Sequence, residues 1–195
     1  MKKNVISFLL MFIGITLILS ALSFKLYFKH KEVVLIREFN EKLKEEKLKD
    51  KEKTNNDNKE NEDNNSIKEL GIIEIPSIGL QSIIVEGTEM DKLRFYLGHF
   101  SQTANAGEEG NFCIAGHSST IYNEILNNLH KVNAEDIIKI KTLKGEIKYS
   151  ITKKFVVEPT EVSVLDNKKG EKTMTIVTCT DSGKKRLIVT ADEIN

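Results

Sequence analysis

From Val5 to Phe24 the chain reads "VISFLLMFIGITLILSALSF" without one charged residue, between Lys2 and Lys3 on one side and Lys25, Lys29, His30 and Lys31 on the other. Nothing downstream is comparably apolar, so the segment has no matching protein core to enter. At about 1.5 Å per helical residue, some 20 residues cover about 30 Å, the hydrocarbon thickness of a bilayer; the apolar core of a signal peptide is only about 7–15 residues long. Residues 1–31 are therefore read as an uncleaved membrane anchor, with a long signal peptide cut near "ALS" as the competing reading. Basic residues flank both ends and do not orient the span. An anchor that begins at residue 5 leaves almost nothing to fold on its near side, so the bulk of the chain is expected outside the cell membrane, held by a single pass.

Residues 32–66 change character. "EFNEKLKEEKLKDKEK" has good helix formers of mixed charge and reads as a solvated helical extension. The "TNNDNKENEDNNS" that follows is too polar to bury a core, and the whole stretch is read as a tether. Its charges alternate in sign with no interleaved aromatics, and the chain as a whole balances 29 basic against 29 acidic residues. Neither the segment nor the total supports a nucleic-acid partner, so specificity has to reside in a local site.

Residues 67–195 are long enough for one domain with a real core. Short β-branched runs recur there: "GIIEI", "SIIVEG", "NFCIAG", "DIIKIKT", "EIKYSITKKFVVE", "KTMTIVTC" and "RLIVTA". Several alternate apolar with polar, and most end in Gly, Asn, Asp, Ser or Pro. That is the pattern of an all-β sandwich or barrel. "STIYNEILNNLH" predicts a helix, with Ile121, Ile125 and Leu129 at fourfold spacing behind a Ser/Thr cap, and a second short helix is possible around "EMDKLRF".

Chemistry is narrowed by scarcity. Only Cys113 and Cys179 offer thiols, and only His30, His99, His117 and His130 offer imidazoles. A thiol of ordinary pKa is mostly protonated at neutral pH and needs a histidine or a positive charge beside it to act as a nucleophile. His117, in "IAGHSST", ends a strand where the chain turns, a place from which side chains reach a cleft. His30 flanks the anchor, His130 suits the end of a helix, and His99 reads as structural. Cys113 and His117 lie four residues apart on one strand, roughly 13 Å, too far to share a metal ion. The same distance opposes a Cys113–Cys179 disulfide if Cys179 meets His117, and Cys113 is read as buried packing.

Positive charge is almost all lysine; arginine occurs only at 37, 94 and 186. A guanidinium is a rigid fork of donors suited to a carbonyl or developing oxyanion, where lysine is a mobile point charge. "DSGKK" between Cys179 and Arg186 reads as a turn, and the hairpin it predicts sets Arg186 beside Cys179.

"TIVTC", Thr175 to Cys179, resembles the sortase signature Thr-Leu-x-Thr-Cys with Ile176 in place of Leu, and "GNFCIAGHS" resembles the strand that delivers the sortase histidine. "IEIPSIGLQSIIVEGT" is similar to the opening strands of that domain, and His117, Cys179 and Arg186 follow the family order, so the resemblance covers residues 70 to 191. It implies an eight-stranded sortase-type β-barrel with one or two short helices on the outer face of a Gram-positive membrane. It further implies that Cys179 attacks the Thr carbonyl of a sorting signal like Leu-Pro-x-Thr-Gly, that His117 is general acid and base, and that Arg186 steadies substrate and oxyanion. Thr178 is expected to line the site. An amino group of peptidoglycan or of its lipid-linked precursor resolves the thioacyl enzyme. No metal and no cofactor are expected, Glu108 and Glu109 matching no full calcium-ligand set. The loop between Cys179 and Arg186 is short and "EPTEVSVLDNKKGEK" is too short for the extra helix of class B, so the reading leans to class D, with class A or E open. A pilin-polymerising sortase and a non-catalytic surface-binding β-domain are the alternatives.

Overall fold

The computed structural model describes residues 2–49, 67–118, 125–180 and 183–194. Eight strands close a barrel: β1 (Glu69–Ile75), β2 (Leu80–Glu86), β3 (Leu97–His99), β4 (Gly110–Gly116), β5 (Ile137–Thr142), β6 (Gly145–Val157), β7 (Lys172–Thr180) and β8 (Lys185–Ile194). Their order around it is β1-β2-β3-β4-β7-β8-β6-β5. The β2–β3 and β4–β7 pairs are parallel and the rest antiparallel. Alternation along each strand sends Ile73 and Ile75, Ile84, Phe112 and Ile114, Met174 and Ile176, and Leu187, Val189 and Ala191 into one core. Each fully buried isoleucine or leucine there contributes about 1.5–3 kcal/mol, which fixes the register, because a one-residue slip would turn the whole set outward.

The seven runs legible in the sequence each hold a strand. The eighth, β3, is only three residues long and carries its own space constraint: a Cβ on Gly98 would lie 2.3 Å from the Gly87 carbonyl oxygen. Glycine thus lets β3 enter between β2 and β4. The short helix α2 (Met90–Leu93) lies on the crossover that the parallel β2–β3 pair demands, where "EMDKLRF" allows one. The helix expected from "STIYNEILNNLH" is not found where that stretch is described: residues 119–124 fall outside the described set, residues 125–128 form turns, and Leu129–Lys131 is a single 3-10 turn. Leu126 and Leu129 are drawn down into the barrel core instead, so tertiary burial overrides the fourfold spacing.

The N-terminal helix, α1, runs without interruption over Lys2–Lys49. It is long and apolar enough to cross a membrane, and large apolar side chains from Phe8 to Leu26 are exposed. Beyond them the same helix lies on the barrel. Phe39 is buried with Ile72, Ile83, Val85 and Tyr96, and Leu35, Ile36 and Leu43 pack around it. The first part of the charged segment is therefore helical but not wholly solvated.

Candidate active site

The site is built by three neighbouring strands that end together. Gly116, the last residue of β4, is in register with Thr178 of β7, so His117 and Cys179 follow side by side. Cys179 is in turn directly opposite Arg186 of β8. Residues opposite one another in an antiparallel pair have Cβ atoms about 4.5–5.5 Å apart on the same face. His117, Cys179 and Arg186 thus form one row on the outer face of the sheet, all half-buried. The next row on that face is Ala115, Val177 and Ile188. An apolar floor therefore lies against the three polar groups.

Local contacts hold this row in place. Thr178 is buried, and its hydroxyl donates to the Gly116 carbonyl at 2.8 Å. The Ser118 hydroxyl donates to the Cys179 carbonyl, closing the β4 end onto the β7 end from the other side. The Leu126 amide donates to the His117 carbonyl at 3.3 Å. Arg186 Nη1 donates to the Gly183 carbonyl at 2.9 Å and the Lys185 carbonyl at 3.1 Å, so its head is held by its own turn.

Burial pushes the His117 imidazole below the ordinary histidine value, and the positive charge of Arg94 pushes in the same direction. The ring is therefore neutral at neutral pH and able to accept a thiol proton. Because the folded value lies below the unfolded one, His117 leaves stability untouched above about pH 6.5 and lowers it as pH falls through that range. Replacing Arg94 by alanine removes a like charge and is expected to move the His117 titration midpoint upward, as read by NMR on the ring protons. A midpoint unchanged or lowered would refute the electrostatic link between the two.

The other thiol is of a different kind. Cys113 is fully buried, and burial pushes its pKa up to about 12 despite hydrogen bonds from Thr103 and Thr175. Both cysteines are free. Cys113 lies under the β6–β7 connection, where Leu165 offers its carbonyl to the sulfur at 3.8 Å. Asn111 pins that connection from below. Its amide donates to the Val164 and Asp166 carbonyls at 3.1 and 3.2 Å, while its oxygen accepts from Thr175 at 2.9 Å and Thr173 at 3.3 Å. An Asn111→Ala chain is expected to lose about 1–3 kcal/mol in denaturant unfolding, since it orphans buried carbonyls and hydroxyls together.

The remaining candidates fall elsewhere. His99 is buried between Glu86, at 3.2 Å from Nδ1, and the Ala104 carbonyl, at 3.0 Å from Nε2, which is a structural bridge between β2 and the β3–β4 loop. His130 sits on a turn with Nδ1 2.8 Å from the Asn127 carbonyl. Glu108 accepts from the Asn105 side chain at 2.9 Å and Glu109 from the Gly170 amide at 2.7 Å. Both carboxylates brace loops at the end of the barrel away from Cys179. Among the described residues no group of three or more His, Cys, Asp or Glu is placed to hold a metal ion. Arg94, in contrast, was not a sequence candidate. Its signal was its rarity, the same signal that drew attention to Arg186.

Residues 73–194 match the family model of the sortase domain. Sortase D of Bacillus subtilis is 28% identical over 109 residues, 56% of this chain and 53% of that protein, so the match spans about half of that relative's length. Sortase A of Staphylococcus aureus is 27% identical over 152 residues, 77% of this chain and 72% of that protein. The solved structure of a Clostridium perfringens Sortase D5 transpeptidase is 42% identical, with a TM-score of 0.66 over 82% of this chain and 95% of that one.

Proposed function

The chain belongs to the sortase family, and from that premise we propose that it is a membrane-anchored cysteine transpeptidase of class D. In this reading it cleaves a Leu-Pro-x-Thr-Gly-like sorting signal after Thr and passes the acyl group to an amine of peptidoglycan or its lipid-linked precursor, outside the cell. The observation that carries the reading is the row His117, Cys179, Arg186 at the shared end of β4, β7 and β8. The Sortase D and Sortase D5 relatives favour class D over a pilin-polymerising enzyme.

In the first half-reaction Cys179 Sγ bonds to the Thr carbonyl carbon after giving its proton to His117. The tetrahedral oxyanion is stabilised by the Arg186 guanidinium, and the collapse that forms the thioester expels the Gly amine as it takes a proton from His117. In the second, His117 takes a proton from the incoming amine. The new amide bond forms and the sulfur leaves, recovering a proton. Ala115 and Val177, half-buried on the same face with Ile188 buried beside them, support an apolar stretch of the signal next to the reacting bond. Thr178, with its hydroxyl on the Gly116 carbonyl, serves as a positioning residue that sets the height of His117 against Cys179.

The test is to incubate the protein with a Leu-Pro-x-Thr-Gly peptide, with and without an added amine, and follow mass. A thioacyl adduct on Cys179 that the amine discharges into a ligated peptide is expected. Adducts on no residue, or on Cys113, would overturn the reading in favour of a non-catalytic surface-binding domain or a different nucleophile.

A further inference from the structure

The second half of α1 lies on the barrel, and the sequence of its contacts along the helix defines a direction. Counting outward from the apolar run, the Tyr27 ring meets Phe95 edge-on with centroids 6.3 Å apart. Glu32 accepts a hydrogen bond from Ser82 at 2.5 Å, Phe39 sinks among Ile72, Ile83, Val85 and Tyr96, and Lys42 pairs with Glu69 at 3.0 Å. Glu69 is in register with Val85. Moving up the helix from Glu32 to Lys42 therefore moves along β2 from Ser82 toward Val85, so β2 runs away from the membrane-spanning half of α1.

Strand pairing carries that direction around the barrel. Being parallel to β2, β3 runs away from the span; β4, antiparallel to β3, runs toward it, and so does β7, parallel to β4. Both strands thus end, at Gly116 and Thr180, on the side of the span, and β8 begins there with Lys185 and Arg186. The row His117, Cys179, Arg186 lies at the end of the barrel nearer the apolar half of α1. Phe155 and Val156, in register with Ile188 and Leu187 where β6 ends on this side, expose 38% and 51% of their surface. The helix leaves little clearance: Phe24 and Glu32 are separated by about 12 Å of helix.

We propose that residues Tyr27 to Leu43 of α1 form a strut that holds the barrel with its catalytic end turned to the lipid surface, so that the site is served by peptide substrates held in the same bilayer. The inference rests on the reading of the chain as a membrane-anchored transpeptidase, and it deepens it by fixing the direction from which substrate comes. The strut converts membrane retention of the donor into an effective concentration at Cys179 that a loose tether would dilute.

The experiment uses the full chain in nanodiscs that contain a headgroup energy acceptor. In a Cys179→Ala background, Lys184→Cys places a donor dye at the catalytic end, and Lys144→Cys places one on the β5–β6 turn at the other end. Transfer at least about two-fold stronger from position 184 than from 144 is expected; equal transfer, or stronger transfer from 144, overturns the strut. With Cys179 intact, Phe39→Asp is expected to leave turnover of a soluble peptide within about two-fold of the parent. It is expected to lower turnover of a bilayer-tethered peptide about ten-fold. An equal fall on both peptides, or no fall on either, overturns the proposal. Failure of the transpeptidase reading is separately visible, as an unmodified parent chain that does not turn over the soluble peptide.

Discussion

A Cys179→Ala chain is expected to lose at least about 10³-fold in peptide cleavage and transfer, while Cys113→Ala retains turnover within a few-fold and loses about 1 kcal/mol of stability. Cys113 is in register with Thr175, four residues before Cys179 on β7, and each thiol is near a histidine in the sequence or in space. What separates them is their surroundings. Cys113 is fully buried under the β6–β7 connection, and its thiol is held at about 12, so it is never a thiolate near neutral pH. Cys179 is half-buried, with His117 on one side and Arg186 opposite. Steady-state kinetics with the soluble peptide, paired with thermal unfolding of both variants, separates loss of chemistry from loss of fold. Comparable activity loss in Cys113→Ala at unchanged stability would mean that the nucleophile has been misassigned.

The row His117, Cys179, Arg186 was legible because each residue belongs to a scarce type and each lies where a strand meets a turn. Strand identity was legible for the same physical reason, since alternation over five or more residues leaves a clear period. β3 escaped because three residues cannot show a period, and it is held by what Gly98 permits, the close approach of the Gly87 carbonyl. The stretch around Leu126 and Leu129 misled because spacing records which side chains are buried, and two leucines can be buried from a turn as well as from a helix. The contact of α1 with the barrel was hidden by composition. Leu35, Phe39 and Leu43 recur every four residues, a narrow stripe in a segment otherwise dominated by charge. Arg94 could not have been placed at all, because its influence on His117 depends on a crossover from β2 to β3 that closes only in three dimensions.

Arg186 carries the second large effect. Arg186→Ala is expected to lower kcat/KM about 10²–10³-fold, and Arg186→Lys to recover only a small part of that loss. A guanidinium offers five N–H donors in a plane, and Nη1 is already directed at the Gly183 and Lys185 carbonyls. Those bonds fix the plane of the fork before substrate arrives, so the reorganisation needed when charge develops on the carbonyl oxygen is small. An ammonium at the same position has the charge but cannot hold its own turn and face the oxyanion at once. The loss should therefore fall on kcat as well as on kcat/KM, and the rate of acylation in single-turnover mixing should drop by the same factor. If Arg186→Lys were to retain full acylation, charge alone would suffice and the fork geometry would have no part in the step. If instead KM rose with kcat unchanged, Arg186 would act in binding the signal rather than in stabilising the developing oxyanion.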